Sequence, residues 1–378
     1  MQRSTEVLII GAGVIGCSIA YFLRKKGIDV LVLEKNHIGS QASSAAAGLL
    51  APIRPLAKED DYRRFLLEGI KRLPALVPEL EECSSIDIEY RLTGTLRVLP
   101  HEKVKPVSDW VVSYQQAGFH VEMLSPDEAY KREPQLFPEV SAAVAIAEEG
   151  QVNPINLTLA YARTAKVLGA TFCEHCEVVG LQRSANDKVL AVQTAQGEVL
   201  SCNHLIIAAG AWSACCSQWL HWSPPIFPLR GQIVALQQPP NPIHHIIFDE
   251  GLFDEDIYIA PKLNNDLIIG ATKAEVGFDT SVTAEEILHL LDVGTRLVPA
   301  LRQCSILRMW AGLRPKTVHS RPILGAVPGL ANVSIASGHG GFGVMLSAIT
   351  GEALAEQVAT GSVPDIIRPF QPKASYEI

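Results

Sequence analysis

Several features that mark particular protein classes are missing from this 378-residue sequence. It has no excess of positive charge, because 40 Asp and Glu residues outnumber 32 Lys and Arg residues, and it contains no basic stripe. We therefore expect no nucleic-acid partner, since binding to nucleic acid requires a positively charged surface. Internal repeats and low-complexity tracts are also absent. The composition is that of a globular protein, and the length favours two packed domains.

Long apolar runs are scarce as well. Residues 7–23 carry no charged side chain, but this run of 17 residues includes three glycines and is short for a membrane span. Glu6 precedes the run and Arg24-Lys25-Lys26 follows it, which is the opposite of the basic start of a secretory signal. We interpret the run as a buried strand that leads into a buried helix, and we expect no membrane span.

The eight cysteines form no regularly spaced framework. Several lie in apolar runs, which is typical of buried thiols in a reducing compartment, so we expect a cytoplasmic protein. Cys173 and Cys176 have the spacing of a redox or metal half-site. Because no second pair accompanies them and they fall in the strand-like segment 171–179, no metal site is expected. We also find no Ser-His-Asp or Cys-His arrangement that would indicate nucleophilic catalysis.

A strand-helix-strand pattern opens the chain. Residues 6–10 are apolar and mostly branched, which predicts a strand buried on both faces. A helical stretch follows and ends near Gly27, and residues 29–33 predict a second buried strand. This is the order of elements in a β-α-β dinucleotide-binding unit.

Three glycines and one acid occupy the expected positions in this unit. Gly11 allows a tight turn, Gly13 lets the backbone approach a pyrophosphate, and Gly16 lets the helix pack against the sheet. Glu34 closes the second strand, where its carboxylate can accept hydrogen bonds from ribose hydroxyls. The fingerprint is complete, and it predicts a dinucleotide cofactor whose phosphates face the amides of the helix N-terminus.

Three later segments favour FAD over NAD. Residues 41–52 are a small-residue run, which a backbone lying flat against a flavin requires. Residues 204–212 are an apolar strand that ends in small residues. Residues 337–343 form a glycine-rich turn before a predicted helix, 347–358, whose positive end would favour a reduced, anionic flavin. We therefore expect FAD as the cofactor.

Together with residues 256–261, 267–272 and 310–315, these segments resemble the glycine oxidase and D-amino-acid oxidase family of FAD-dependent amine oxidases, and glycine oxidases most closely. The resemblance runs over nearly the whole chain. It implies an α/β fold with two domains, a Rossmann-like FAD-binding domain and a second, mostly antiparallel-sheet substrate domain.

The flavin segments occur early, in the middle and late in the chain, so the FAD-binding domain is expected to be discontinuous. We assign to it residues 1–80, 150–222 and 304–378. The substrate domain would then comprise residues 81–149 and 223–303. Alternating runs in the latter, at 93–98 and 231–236, predict half-buried strands that cover a cavity.

The resemblance also implies the site residues. Besides the fingerprint glycines, it places the following residues at the FAD: Val14, Ile15, Glu34, Lys35, Ala42, Ser43, Ala47, Gly48 and Leu49, with Val178 at the adenine and His339, Gly340, Gly341, Phe342, Gly343, Val344 and Met345 along the isoalloxazine edge. Arg314 matches the arginine that holds the substrate carboxylate, a task that suits a planar guanidinium, and Tyr258 matches an active-site tyrosine. Trp310 and Phe342 are either walls of the site or core residues. Arg54 could reach the site or form a structural salt bridge.

Two positions depart from the glycine oxidase pattern. Gly341 stands where those enzymes carry a second arginine at the substrate site, and Lys273 stands where an apolar residue or methionine is usual. Lys273 could supply the missing charge, could take a catalytic part by helping oxygen react at the flavin, or could point to solvent. These departures argue against assuming glycine as the substrate.

The activity that the resemblance implies is FAD-dependent oxidation of the C–N bond of a small amino acid or N-substituted glycine. Molecular oxygen is the expected electron acceptor, and the products are an oxo acid, an amine or ammonia, and hydrogen peroxide. Two alternatives stay open: an amino-acid dehydrogenase that passes electrons to a quinone or carrier, and a catalytically silent flavin-binding protein. Self-association into a homo-oligomer is also left open.

Overall fold

The computed structural model describes residues 4–53, 60–116, 118–254 and 257–376, so Arg54 lies outside the described residues. The strands are β1 (Ser4–Ile10), β2 (Val30–Leu33), β3 (Leu49–Leu50), β4 (Thr95–Leu99), β5 (Val121–Leu124), β6 (Ala142–Ile146), β7 (Gly150–Gln151), β8 (Thr171–Cys173), β9 (Val178–Arg183), β10 (Val189–Thr194), β11 (Val199–Ile207), β12 (Ile226–Gln237), β13 (Ile246–Asp249), β14 (Tyr258–Pro261), β15 (Asp266–Gly270), β16 (Ile306–Thr317), β17 (Ile323–Ala326) and β18 (Val333–Ser337).

The α-helices are α1 (Val14–Lys25), α2 (Ala42–Ala45), α3 (Asp61–Ser84), α4 (His101–Gln116), α5 (Pro126–Arg132), α6 (Pro154–Val167), α7 (Ser217–Leu220), α8 (Ala284–Leu297) and α9 (Ser347–Thr360). Short 3-10 helices cover Gly210–Cys216, Pro299–Gln303, Gly340–Phe342 and Asp365–Phe370. Within the described ranges, no helix is both long enough and apolar enough to cross a membrane.

The first sheet is built around the predicted β-α-β unit. Its strands run in the order β17-β18-β11-β1-β2-β8, and β10 and β9 extend it through β11. The strands from β18 to β8 pair in parallel, and α1 packs against α6 and α9 on the sheet. Most of the apolar run at residues 7–23 is buried, as predicted, with Leu8 and Cys17 fully inaccessible to solvent. This layered arrangement confirms the Rossmann-like part of the α/β fold.

The second sheet has the order β16-β12-β15-β14-β13-β4-β6-β5. Every neighbouring pair is antiparallel except β13 and β4. Helix α8 packs on β12 and β15, the second and third strands in this order. The mostly antiparallel character expected for the second sheet is therefore confirmed.

Two strands of the second sheet are more deeply buried than their sequence pattern predicted. All five residues of β4 are buried, and so are residues 229–236 of β12. The prediction of half-buried strands was wrong because the sheet is covered on both faces. In β4, Leu96 packs in the core under α8, whereas Leu99 packs in a separate core with α4.

The division of the chain into two domains stays a prediction. One boundary, at residue 304, would assign β16 to the FAD-binding domain. That strand is hydrogen-bonded along its length to β12 and forms one edge of the second sheet. The strand that carries Arg314 therefore belongs structurally with the second sheet.

Candidate flavin and substrate site

The fingerprint glycines form a turn with room for a ligand. Gly11 has a φ of 103°, and a Cβ atom there would lie 2.5 Å from the carbonyl oxygen of Ala208. A Cβ atom at Gly16 would lie 2.0 Å from the Gly11 carbonyl oxygen. Among the described residues, a Cβ atom at Gly13 would approach only Ser43 Oγ, at 3.3 Å. Gly11 and Gly16 are thus required by packing, whereas Gly13 leaves open space where a pyrophosphate would lie.

The N-terminus of α1 is suited to bind an anion. Gly13 caps the helix without a side-chain hydrogen bond, and the first turn contains no acidic residue. The Val14 amide donates to Ser43 Oγ at 2.9 Å, and Ile15 is half-buried beside it. The positive end of the helix is therefore available to the phosphates of a dinucleotide. These features fit the diphosphate of FAD.

Glu34 lies beside this turn. Its carboxylate accepts hydrogen bonds from the Ala12 amide at 2.8 Å and from the Asn36 amide at 2.9 Å, so it is held at the end of β2 where a ribose would lie. Lys35 is exposed and pairs with Glu177, whereas Val178 is buried at the start of β9. The expected adenosine contacts are therefore neighbours, although their contact with the cofactor stays a prediction.

The small-residue run lies between the two sheets. Gly48 has a φ of 76°, and a Cβ atom there would lie 2.1 Å from the Val152 carbonyl oxygen. Ala42 begins the short helix α2, and the Trp310 indole donates to the Ala45 carbonyl oxygen at 3.0 Å. Leu49 packs against apolar residues of the second sheet. Because α2 and β3 are both short, this segment is positioned by its contacts rather than by its own secondary structure.

Two glycines of the second sheet make room for the expected substrate-binding side chains. The Arg314 guanidinium lies across Gly231 of β12, where a Cβ atom would be 2.4 Å from both terminal nitrogens. Arg314 Nη1 also donates to the Thr272 carbonyl oxygen at 2.9 Å. The Tyr258 ring covers Gly270, its partner on β15, where a Cβ atom would be 2.6 Å from the hydroxyl oxygen.

The two groups next to Arg314 are the phenol of Tyr258 and the backbone of Thr272. Burial raises the pKa of Tyr258 and the nearby Arg314 charge offsets part of this effect; the pKa is about 12, so the phenol stays neutral. Thr272 is fixed on its other side, because its hydroxyl accepts from the Gln232 amide at 3.0 Å and donates to the Glu286 carboxylate. The backbone carbonyl that orients Arg314 is therefore itself anchored.

The last glycine-rich turn approaches the same place. A Cβ atom at Gly341 would lie 4.0 Å from Cδ and Nε of Arg314, so the position that carries an arginine in glycine oxidases is adjacent to Arg314. Gly340 has a φ of 57°, and residues 340–342 form a single 3-10 turn. The structure thus brings the turn at Gly341 next to Arg314, and the Arg314 charge acts on the pKa of Tyr258.

Other residues of the turn face the protein interior. His339 is buried, its Nε2 lies 3.1 Å from Thr350 Oγ1, and burial lowers its pKa to about 3, so the imidazole is neutral. Phe342 packs edge-on against Tyr62. Gly343 is half-buried, and Val344 and Met345 lie in the core beneath the start of α9. Backbone groups rather than these side chains are therefore available to a flavin.

Lys273 is exposed at the position after Thr272. This exposure agrees with the alternative in which its side chain points to solvent. A role toward the flavin or oxygen stays a prediction.

Reasoning from the sequence missed Gly231 and Lys262. A glycine inside a strand commonly marks a close approach of another group, which is the signal that Gly231 offered. Lys262 follows a buried strand and lies on the same side as Tyr258 by the alternation of strand residues. It is half-buried, whereas a lysine after a strand is expected to be exposed. Cys173 and Cys176 are both free thiols, at the end of β8 and just after it.

Comparisons with known proteins agree with this geometry. A family model described as FAD dependent oxidoreductase (DAO) matches residues 6–357. The glycine oxidase of Geobacillus kaustophilus (strain HTA426) is 31% identical over 372 residues, which cover 98% of this chain and 97% of that protein. The crystal structure of glycine oxidase from Geobacillus kaustophilus superposes with a TM-score of 0.92 over the full length of both chains, at 30% identity.

Two further solved structures are similar over nearly the whole chain. An iminodiacetate oxidase from Chelativorans sp. BNC1 is 27% identical, with a TM-score of 0.87 and coverage of 97% of this chain and 99% of that one. An L-proline dehydrogenase from P. horikoshii is 26% identical, with a TM-score of 0.86 and coverage of 97% and 96%. The chain belongs to the DAO family of FAD-dependent oxidoreductases, and it is an FAD-dependent amine or amino-acid oxidoreductase related to the glycine oxidases.

Proposed function

We propose that this protein oxidises the C–N bond of a small amino acid or N-substituted glycine and passes the electrons to molecular oxygen. The observation that carries the proposal is the environment of Arg314. Its guanidinium is fixed by the Thr272 carbonyl and by the surface of Gly231, and it lies beside the turn at Gly341. A single anchored guanidinium is suited to bind one carboxylate through two hydrogen bonds.

The chain's own residues bind and orient the substrate. Arg314 would hold the carboxylate, and the neutral hydroxyl of Tyr258 would donate a hydrogen bond to it or to the amine-bearing end. Leu49 and Trp310 form an apolar cluster with Tyr258, which would exclude water. When bound, FAD supplies an acceptor for the hydride of the substrate α-carbon, so the protein needs to supply orientation more than acid–base groups.

The shape next to Arg314 favours a substrate larger than glycine. Because Gly341 has no side chain, the volume that a second arginine would fill is left to the substrate. A side chain or an N-substituent could occupy it, and each methylene group buried there contributes about 0.8 kcal/mol. The similarity to an iminodiacetate oxidase supports an N-substituted glycine, since iminodiacetate is one.

A substrate screen with the purified holoenzyme tests the proposal. Glycine, sarcosine, other N-substituted glycines and D-amino acids would each be mixed with the protein without oxygen, and bleaching of the flavin absorbance would be followed. We expect one of the larger or N-substituted compounds to bleach the flavin and, under air, to release hydrogen peroxide. Absence of bleaching by every amine with a carboxylate would refute the proposal.

A dehydrogenase is the second candidate, and the similarity to an L-proline dehydrogenase favours it specifically. The flavin of such an enzyme would also be bleached by the substrate, but the reduced flavin would react slowly with oxygen. Activity that appears only with an artificial electron acceptor, without peroxide, would establish this alternative. Flavin that is bound but never bleached would instead indicate a catalytically silent protein.

A further inference from the structure

A half-buried lysine lies between the second sheet and the run expected to contact the flavin. Lys262 follows Pro261 at the end of β14; the residue is half-buried, and its ammonium group points to two buried residues, Ala47 and Gln151. Its Nζ donates to the Ala47 carbonyl oxygen at 2.5 Å and to Gln151 Oε1 at 2.6 Å. Both acceptors are neutral, so these two hydrogen bonds do not compensate the charge with an opposite one.

The surroundings of Lys262 join three segments of the chain. Gln151 Nε2 donates to the Pro261 carbonyl oxygen at 2.7 Å, while the Gln151 backbone pairs with Leu49 in the small sheet of β3 and β7. Arg91 exchanges backbone hydrogen bonds with Gln151 and also donates through Nη2 to the Pro261 carbonyl oxygen at 3.3 Å. Lys262 is thus the member of this junction that reaches Ala47.

The bond to Ala47 determines how one peptide unit is turned. In a trans peptide the C=O and N–H groups point in opposite directions. Because the Ala47 carbonyl points to Lys262, the N–H of Gly48 must point away from Lys262. The next carbonyl, that of Gly48, is held by the Val152 amide at 2.9 Å. The backbone at residues 47–48 is therefore fixed from both sides.

The energetic cost of this arrangement indicates that Lys262 does more than fill space. Burial is the main cause that lowers the pKa of Lys262, the Arg91 charge lowers it as well and the Glu89 charge opposes both, so that the pKa is about 7. A methionine would occupy similar volume without losing the hydration of a charged group. A lysine supplies what methionine cannot, a donor that reaches both the Ala47 carbonyl and Gln151 Oε1.

We propose that Lys262 is a positioning residue for the flavin: from the second sheet it holds the Ala47 carbonyl and thereby aims the backbone of residues 47–49 at the isoalloxazine. The inference rests on the flavin contacts proposed above for Ala47, Gly48 and Leu49. It assigns to the second sheet a part in cofactor binding as well as in substrate binding.

Lys262→Met and Lys262→Arg test this inference, with Arg91→Met as the matched control. Arg91→Met removes a cation from the same junction but leaves the bond to Ala47 in place. The dissociation constant for FAD would be measured on the apoprotein, and visible circular dichroism would report how the bound flavin is held. We expect Lys262→Met to weaken FAD binding roughly 10- to 100-fold, the equivalent of one hydrogen bond to a charged group, and to change the dichroism.

The two other variants separate positioning from general stability. Lys262→Arg should restore FAD binding to within about threefold of the wild type, and Arg91→Met should change FAD binding and the dichroism much less than Lys262→Met. If Lys262→Met and Arg91→Met changed both readouts equally, the junction would have only a structural role, and the inference would be overturned. Should Lys262→Met not fold, Lys262→Leu gives the same test, because leucine also has no donor, and wild-type binding with an unchanged dichroism in that variant would also overturn it.

The outcome does not depend on the proposed activity, because neither readout requires a substrate. A wild-type protein that binds FAD but oxidises no amine would refute the proposed function alone. Conversely, amine oxidation by the wild type with unaltered FAD binding in Lys262→Met would refute this inference alone.

Discussion

Gly231→Ala should damage substrate binding although it adds only one methyl group. The new Cβ atom would lie 2.4 Å from Nη1 and Nη2 of Arg314 and 2.5 Å from the central guanidinium carbon. Ordinary van der Waals contact requires about 3.5 Å, so the guanidinium would have to move by about 1 Å. The φ of Gly231 is outside the left-handed region, so the strand itself tolerates alanine.

The size of the effect follows from what Arg314 would lose. Its bond to the Thr272 carbonyl, 2.9 Å long, would be broken or bent, and a hydrogen bond to a charged group contributes about 1.5–3 kcal/mol. A misplacement of about 1 Å at a reacting site lowers the reaction rate on the order of 100-fold. We therefore expect KM for the carboxylate substrate to rise roughly 10- to 100-fold. Arg314→Ala defines the upper limit, with a rise of roughly 10- to 1,000-fold.

The assay combines steady-state kinetics on the best substrate with titration of a small carboxylate such as acetate, followed through the flavin spectrum. Gly180→Ala is the matched control, because Gly180 is also a strand glycine and its nearest neighbour is the flexible end of Gln193, at 3.2 Å. FAD content and thermal stability should be close to wild type in both variants. An unchanged KM and an unchanged acetate affinity in Gly231→Ala would refute the placement of Arg314 at the substrate.

Three further predictions concern the pocket, the cofactor and the response to pH. Gly341→Arg should raise kcat/KM for glycine and lower it for larger substrates, and a wild type that already prefers glycine would contradict this expectation. Lys273→Met should have no such effect if Lys273 points to solvent. Gly13→Val should lower FAD retention, measured as bound flavin per protein, because a branched side chain would fill the space left for the pyrophosphate. His339 has a pKa of about 3 in the folded protein and near 6.5 in the unfolded chain, so the unfolded chain alone takes up a proton as the pH falls. The contribution of the neutral imidazole to the free energy of unfolding is therefore fully present above pH 6.5 and falls by about 2 kcal/mol at pH 5. His339→Gln should flatten the fall of Tm between pH 7 and pH 5.

The cofactor unit could be predicted from the sequence because its determinants are local. Gly11, Gly13 and Gly16 act within one turn, and Glu34 follows at the end of the next strand. Each residue type is required by a short-range constraint, such as a positive φ at Gly11 or a missing Cβ atom at Gly16. The membership in the DAO family and the FAD cofactor were predicted on this basis, together with the matching segments later in the chain.

The substrate side of the site was decided by the tertiary structure. Gly231 meets Arg314 because β12 and β16 pair in one register, and Lys262 reaches Ala47 across 215 residues of chain. The burial of β4 on both faces likewise depends on what covers the sheet. A local pattern shows which residues share a face of a strand, but strand order and register determine which distant residue lies opposite. For this reason the sequence determined the kind of cofactor and the candidate arginine, whereas only the folded chain determined which residues lie against that arginine.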